Sequence, residues 1–285
     1  CQTKMNIISK KLFSKGEKFL IIIGEKINTS RKAIRPAVEN KDTAVIQDLA
    51  IKQVESGAHY IDVNCGTFPF QEPELLEWLV NTVQEVVDVP LCIDTPNPEA
   101  LERALKANRN GKPIINSITA EKERYNSIFP YVLEYNTSII ALCMDDSGMP
   151  ETADDRLRIA EKLIESMTKE GVKLEDIYID PLVRPVGTGS HYGLVALQTI
   201  EKIMNEFPGI HTTCGLSNIS FGIPARKLIN QAFLVMAIGA GLDSAILDPM
   251  DKKLMSFIYA AELLRGKDDF CMNYLTAYRE GKLES

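Results

Sequence analysis

Acid and amide side chains recur where short apolar runs of the sequence break off into polar residues. The clearest break lies in residues 213–222, where the apolar run 210–216 gives way to small polar residues around Asn218. A break of this kind predicts a strand that ends in a loop. The same break recurs along the chain and leaves these residues at strand ends: Glu25, Asn64, Asp94, Asn116, Asp145, Asp180, Asn218 and Asp248.

The elements that must position these side chains are short buried strands that alternate with helices. The strands are predicted at residues 19–23, 58–63, 89–93, 113–115, 138–144, 177–179, 210–216 and 244–247. Eight strands with a helix after each predict an α/β protein with a parallel sheet closed into a single (β/α)8 TIM barrel. Function in such barrels gathers at the carboxyl ends of the strands, which is where the acids and amides lie.

The helices carry their own signals. Residues 76, 80, 83 and 87 are apolar and have the spacing of a buried stripe on one helix face. Three polar residues, Asp42, Asn97 and Thr152, each precede a helical pattern and are predicted to cap it. Pro98 falls in the first turn after Asn97, and Asp155 would complete a capping box after Thr152.

One domain is expected over residues 19–285. Residues 1–18 lack periodicity, and the chain starts at Cys1, so they are predicted to be an N-terminal arm or a tag-derived tail, with Met5 as a natural start. No apolar run approaches the length of a membrane span. The formal net charge of −7 argues against nucleic acid as a general partner. Six cysteines without a C-x-x-C pair favour reduced thiols and a cytoplasmic protein.

Several other chemistries known from barrel enzymes require residue patterns that this sequence does not show. The histidines His59, His191 and His211 are isolated, whereas metal-dependent hydrolases need clustered ones. Lys26 is the only lysine near a strand end, as a Schiff-base enzyme would require. Four cysteines lie near strand ends, and either a thiolate zinc site or simple packing would account for them: Cys65, Cys92, Cys143 and Cys214. No bound metal is expected.

Two interpretations of the acids and amides remain at this point. Asp and Asn often cap the helices that follow strands. Some of these residues lie several positions before their helix, however, and capping does not explain the whole set. A mouth lined with acids and amides suits a neutral, flat heterocycle with several N–H donors, because a carboxylate accepts two parallel hydrogen bonds of about 1.5–3 kcal/mol each. Pterins and purines both have such an edge.

Five segments in order resemble one family, the methyltetrahydrofolate:corrinoid methyltransferases. They are residues 24–28 (GEKIN), 91–95 (LCIDT), 115–117 (INS), 178–182 (YIDPL) and 215–220 (GLSNIS). That family includes the second methyltransferase of anaerobic O-demethylase and glycine betaine systems, and resembles the folate domain of cobalamin-dependent methionine synthase. The resemblance spans nearly the whole chain after residue 18 and implies a pterin-binding barrel.

The resemblance also implies roles for individual residues. Asp94, Asn116 and Asp180 would grip the amino and ring N–H edge of the pterin, and Asn218 would hydrogen-bond the nitrogen that carries the methyl group. Catalysis would rest on Asn218, Asp180 and Asp94. The remaining expected binding residues are Glu25 and Asn64 in the polar floor, Gly215 and Ser217 in the wall, and Arg226 near the folate tail or the partner, for which a surface salt bridge is the alternative.

The implied reaction moves a methyl group between tetrahydrofolate and the cobalt of a corrinoid, in either direction. The cobalamin-binding pattern D-x-H-x-x-G is absent from the sequence. The corrinoid is therefore expected on a separate protein that docks over the barrel mouth, with tetrahydrofolate as substrate. A homodimer is a further family expectation. Phe221 stands where a related loop carries glutamine, which puts an aromatic ring at the mouth.

Two alternatives stay open on the sequence. One is a dihydropteroate synthase-like pterin enzyme, although its Arg- and Ser-rich loop after the second strand is replaced here by residues 65–69 (CGTFP). A shared fold alone does not fix the reaction. The other is a non-catalytic folate-binding component of a corrinoid complex, which would bind folate without exchanging a methyl group.

Overall fold

The computed structural model describes residues 19–284, so the predicted arm at residues 1–18 lies outside the described residues. The strands are β1 Ile21–Asn28, β2 Tyr60–Asn64, β3 Leu91–Asp94, β4 Ile114–Thr119, β5 Ser138–Leu142, β6 Ile177–Asp180, β7 His211–Thr212 and β8 Ser244–Leu247. The helices are α1 Arg35–Glu39, α2 Thr43–Glu55, α3 Glu72–Gln84, α4 Pro98–Ala107, α5 Lys122–Glu134, α6 Ala153–Lys169, α7 Tyr192–Glu206, α8 Arg226–Ala240, α9 Lys252–Leu264 and α10 Met272–Arg279. Short 3₁₀ helices cover Leu174–Asp176, Leu216–Ser220 and Asp269–Cys271.

The strands form one parallel sheet that curls into a barrel. The strands β1 to β7 pair consecutively, and β1 also pairs with β8. The remaining seam between β7 and β8 is closed by the backbone N–H of Ile246, which donates to the carbonyl of Cys214 over 2.9 Å. The hydroxyls of Ser244 and Thr213 reinforce the seam at 3.2 Å. The predicted (β/α)8 barrel is confirmed.

A layer of apolar side chains fills the barrel below the strand ends. Ile23, Cys92, Ile114, Ile140 and Tyr178 form one buried cluster. Side chains two residues apart in a strand point to the same face. The positions two residues further along β3, β4 and β6 therefore point inward as well, and they carry Asp94, Asn116 and Asp180.

Most of the helix signals predicted from the sequence are confirmed. Leu76, Val80 and Val83 form a buried stripe on α3, whereas Val87 is buried beyond the end of that helix at Gln84. The side chain of Asn97 accepts from the N–H groups of Glu99 and Ala100, at 3.0 and 3.3 Å. The predicted caps of α2 and α6 also form. The side chain of Asp42 accepts the N–H of Val45, and the hydroxyl of Thr152 accepts the N–H of Asp155.

Several strand boundaries differ from the prediction, most at β1, in the seventh unit and at β4, which runs to Thr119 and so continues past the predicted end at residue 115. β1 continues to Asn28 because the side-chain carbonyl of Gln53 on α2 accepts the N–H of Lys26 at 3.0 Å, where the register with β2 shifts. In the seventh unit the regular strand is short, His211–Thr212, and the Asn218 segment is a 3₁₀ helix instead of a loop. Gln53 lies 27 residues from Lys26 along the chain, so the extension of β1 leaves no local signal in the sequence.

No helix within residues 19–284 is long and apolar enough to cross a membrane.

Candidate functional site

A cavity of about 910 Å³ opens at the carboxyl ends of the strands, which we call the mouth of the barrel. The predicted binding residues that line it are Glu25, Asp94, Asn116, Asp180, Gly215, Ser217, Asn218 and Arg226. Asp248, another predicted strand-end acid, also lines it. Residues from the first to the eighth strand unit, far apart in sequence, therefore share one surface.

We call Asp62, Asp94, Asn116 and Asp180 the floor of this cavity. The carboxylate of Asp180 accepts the N–H of Leu182 at 2.8 Å. Burial raises the pKa of Asp180 to about 6, against the opposing effects of that hydrogen bond and of the Arg156 charge. Burial also raises the pKa of Asp94 to about 6, while a hydrogen bond from Asn64 opposes the rise. Both acids are therefore largely ionised at neutral pH and protonate in mildly acidic solution.

Asp62 was missed by the sequence reasoning. It lies on β2, is 2% exposed, and its Oδ1 atom is buried without a hydrogen-bond partner among residues 19–284. Burial, and then the charge of Asp94, hold the pKa of the Asp62 carboxyl well above its usual range. Alternation along β2 could have found it, since Asp62 and Asn64 are two residues apart and face the same side. The floor thus contains a third acid, Asp62, which favours its protonated form more strongly than Asp94 and Asp180 do.

Asn64 supports the floor and does not line the cavity. Its Nδ2 atom donates to Oδ2 of Asp94 at 2.8 Å, and its Oδ1 atom accepts the N–H of Gly66 at 3.1 Å. The amide therefore holds one face of the Asp94 carboxylate and ties it to the loop after β2. This places Asn64 behind Asp94, and its expected role as a binding residue of the polar floor stays a prediction.

Ion pairs line the side of the mouth formed by β1 and β8. Lys26 Nζ contacts Oδ2 of Asp248 at 2.7 Å, and Arg31 is paired with Glu25. Burial raises the pKa of Glu25, and the Arg31 charge opposes that rise. These cations offset part of the negative charge of the mouth, which the sequence had suggested was nearly free of positive groups.

Asp145 is the predicted strand-end acid that the fold keeps away from the cavity. Its Oδ1 atom accepts the N–H of Ser147 at 3.0 Å and the Ser147 hydroxyl at 2.5 Å. These hydrogen bonds lower the pKa of Asp145. The residue therefore holds a turn after β5, which is the local role that Asp commonly has.

One wall of the cavity is built around Gly215 and Asn218. A Cβ atom on Gly215 would lie 3.1 Å from Nδ2 of Asn218, so the glycine lets this amide pack directly over the backbone. Arg226 holds the same short helix from outside: its Nε donates to the Ser220 hydroxyl at 3.0 Å and its Nη2 to the Ser217 carbonyl at 2.6 Å. Asn218 itself is exposed to the cavity.

The thiols near the strand ends are buried and favour their protonated form. Burial raises the pKa of Cys65 to about 12, and burial also raises the pKa values of Cys92, Cys143 and Cys214 well above the ordinary thiol range. Within the described range 19–284, no group of three or more His, Cys, Asp or Glu side chains is arranged to hold a metal ion.

Two of the histidines lie at the other end of the barrel, where the strands begin. His59 accepts the N–H of Ile22 at its Nδ1 atom over 2.9 Å, and burial lowers the pKa of His59 to about 4. His211 contacts Asp243 through Nδ1 at 2.6 Å. Both belong to the base of the barrel, away from the mouth.

Sequence comparison matches the chain to known proteins over most of its length. The family described as pterin binding enzyme matches residues 24–248. The chain is 40% identical over 267 residues to the methylcorrinoid:tetrahydrofolate methyltransferase of Eubacterium limosum, covering 93% of this chain and 98% of that enzyme. It is also 30% identical over 240 residues to the methionine synthase of Mycobacterium tuberculosis, covering 80% of this chain and 20% of that larger protein.

Solved structures with the same fold include two dihydropteroate synthases. The enzyme of Thermus thermophilus gives a TM-score of 0.63 at 17% identity, over 87% of this chain and 94% of its own. The enzyme of Xanthomonas albilineans gives a TM-score of 0.66 at 16% identity, over 87% and 92%. At these identities the likeness shows the barrel fold. The sequence matches go further: the chain belongs to the pterin binding enzyme family and, within it, to the methyltransferases that include the Eubacterium limosum enzyme.

Proposed function

We propose that this chain is a methyltransferase that moves a methyl group between tetrahydrofolate and the cobalt of a corrinoid carried by a separate protein. The observation that carries the proposal is the cavity itself, in which the acids and amide of the floor share one surface with the exposed amide of Asn218. The 40% identity with an enzyme named for this reaction, over almost its whole length, supports the same conclusion.

The floor suits the amino and ring N–H edge of a pterin. Asp94, Asn116 and Asp180 offer two carboxylates and one amide to donors that lie in one plane. A carboxylate that accepts hydrogen bonds from N–H groups contributes about 1.5–3 kcal/mol per bond. The carboxyl of Asp62, when protonated, can donate to a ring nitrogen or carbonyl oxygen of the same heterocycle.

Asn218 is the residue we assign to the reacting nitrogen. When the methyl group leaves that nitrogen for cobalt, the electron pair of the carbon–nitrogen bond returns to nitrogen, which is a poor leaving group unless it gains a proton or a hydrogen bond. An amide can make the hydrogen bond in either protonation state of the pterin: its N–H donates to the neutral nitrogen, and its carbonyl oxygen accepts from the protonated one. In the reverse direction the N–H of that nitrogen would donate to the amide oxygen of Asn218, which leaves the nitrogen lone pair free to attack the methyl group, and the proton is lost after the carbon–nitrogen bond has formed.

The other predicted residues support these contacts. Gly215 allows Asn218 to approach, Ser217 forms part of the wall, and Asn64 fixes Asp94. Glu25 lines the same cavity and completes its polar surface. Arg226 acts first by holding the short helix Leu216–Ser220, as its bonds to Ser217 and Ser220 indicate.

The corrinoid protein would dock over the mouth. Phe221 lines the mouth and is 67% exposed, so it offers that protein an apolar contact. We also propose that residues 19–285 act as one domain, that the protein works in the cytoplasm, and that it forms a homodimer.

The proposal is tested by following the cobalt spectrum. The purified chain is mixed with methyltetrahydrofolate and a reduced corrinoid protein, and formation of methylated cobalt is recorded; the reverse reaction starts from the methylated corrinoid and tetrahydrofolate. Asp180→Asn should abolish transfer, and Asp145→Asn should leave it intact, because Asp145 lies outside the cavity. Folate binding without transfer in either direction would instead support a non-catalytic binding component.

A further inference from the structure

A buried arginine stands behind the floor of the cavity. Arg156 lies in the first turn of α6 and is 0% exposed. A guanidinium is costly to bury without a paired charge, and a cation in the first turn of a helix opposes the helix dipole. Because both its burial and its position at the start of α6 are unfavourable, we expect the role of Arg156 to lie in its contacts with other elements.

The donors of Arg156 converge on the segment that follows Asp180. Its Nη1 atom donates to the carbonyls of Pro181 and Leu182, at 2.6 and 3.0 Å. Its Nε atom donates to the carbonyl of Pro150 at 3.3 Å. One side chain from α6 therefore ties the loop before that helix to the end of β6.

Leu182 links the arginine to the acid. Its N–H donates to Oδ1 of Asp180 at 2.8 Å, and its carbonyl accepts from Arg156. The backbone of Leu182 has φ of 58°, a left-handed conformation that is unfavourable for a leucine. That conformation turns the N–H toward Asp180 and the carbonyl toward Arg156 at once.

We infer that Arg156 is a positioning residue for Asp180, acting through Leu182 and supplying a positive charge behind the carboxylate. The inference rests on the proposed binding of a pterin by Asp180. Because the arginine approaches from behind, it leaves the ligand-facing side of the carboxylate open. A direct ion pair at the floor would occupy the oxygens that the pterin needs.

The groups around Asp180 do not offer another source of this charge. The neighbouring titratable groups are the thiols of Cys143 after β5 and Cys214 after β7, and burial raises the pKa of both. Arg156 lowers the pKa of Asp180 and of Cys143, and burial lowers the pKa of Arg156 itself. Arg184 and Glu151 act on Arg156 with opposite signs.

The test is a carboxyl titration of the ligand-free protein by carbon NMR, with the Asp180 signal assigned by its loss in Asp180→Asn. In R156M the midpoint should rise above that of the wild type, since a positive charge that lowers the pKa of Asp180 is removed. R156K keeps the charge and should stay nearer to the wild-type midpoint. The control R158M makes the same change two residues along α6, at a side chain that is 73% exposed. It should leave the titration midpoint of Asp180 unchanged.

An unmoved midpoint in a folded R156M would overturn the inference. If R156M does not fold, tetrahydrofolate binding by R156K decides instead: lysine has a single donor nitrogen and cannot bond the Pro150 carbonyl together with the two carbonyls after β6, so the dissociation constant should rise about tenfold. Unchanged binding would then count against the positioning role. The titration needs no folate, so failure of methyl transfer and failure of this inference are separate results.

Discussion

Asn64 donates to Asp94 over 2.8 Å and at the same time accepts the N–H of Gly66 over 3.1 Å. One amide therefore fixes both the carboxylate of a neighbouring strand and the loop after its own strand. Asp94, which lines the cavity, is held by a residue that does not line it. The same division between a residue in the cavity and a residue that supports it from behind recurs at Asp180, which Arg156 supports through Leu182.

Asn64→Ala should weaken tetrahydrofolate binding by about tenfold, because a charge-assisted hydrogen bond of about 1.5–3 kcal/mol that orients Asp94 is lost. Titration calorimetry measures the dissociation constant. Asn40→Ala is the control, since Asn40 is exposed on the outer helix layer and its amide donates to the carbonyl of Pro36. Equal binding by wild type and Asn64→Ala would show that Asp94 is oriented without the amide.

Asn218→Ala should lower kcat by about a hundredfold or more and change the folate KM little. A hydrogen bond that strengthens as the methyl group leaves acts on the transition state more than on the bound substrate. Steady-state methyl transfer to a reduced corrinoid protein separates the two constants. Unchanged kcat with a raised KM would assign Asn218 to binding alone.

Gly215→Ala should slow methyl transfer, because its new Cβ atom would lie 3.1 Å from the Asn218 amide and push it from its place. The fall in kcat should be smaller than that of Asn218→Ala, and folding should persist, since the φ of Gly215 is −70°. The control is Gly239→Ala in α8, where a Cβ atom meets nothing within 4 Å. Wild-type activity of Gly215→Ala would show that transfer does not require the close approach of Gly215 and the Asn218 amide.

Asp180→Asn should make the ligand-free protein more stable at pH 7.5. Burial raises the pKa of Asp180 from 3.8 to about 6, so the charged form is less favourable in the folded state than in the unfolded chain. That difference costs about 3 kcal/mol above pH 6, and it disappears as the pH falls through 6 toward 4, where both states bind the proton.

Thermal unfolding of wild type and Asp180→Asn at pH 7.5 and pH 4.5 measures this effect. The stabilisation should be large at the higher pH and small at the lower one, while tetrahydrofolate binding is lost at both. The control Asp145→Asn, in the turn after β5, should give no such gain, because hydrogen bonds lower the pKa of that acid. A wild type that gains no stability relative to Asp180→Asn on acidification would contradict the buried charge.

The sequence by itself determined the elements and most of the chemistry. Apolar runs, helix stripes and caps such as Asn97 depend on residues within one or two turns of each other, so their signals are local. The acids and amides at strand ends follow from the same pattern, because parallel strands bring their carboxyl ends to one edge.

Tertiary structure decided which of those residues share the cavity. Asp145 meets Ser147 and holds a turn, Asp62 is drawn into the floor, and Asn64 is set behind Asp94. Arg156 reaches the loop after β6 from a different unit of the barrel. These outcomes depend on strand register, on barrel curvature and on distances between residues far apart in the chain. No local pattern encodes those quantities, since they are fixed only when all eight strands close around one core.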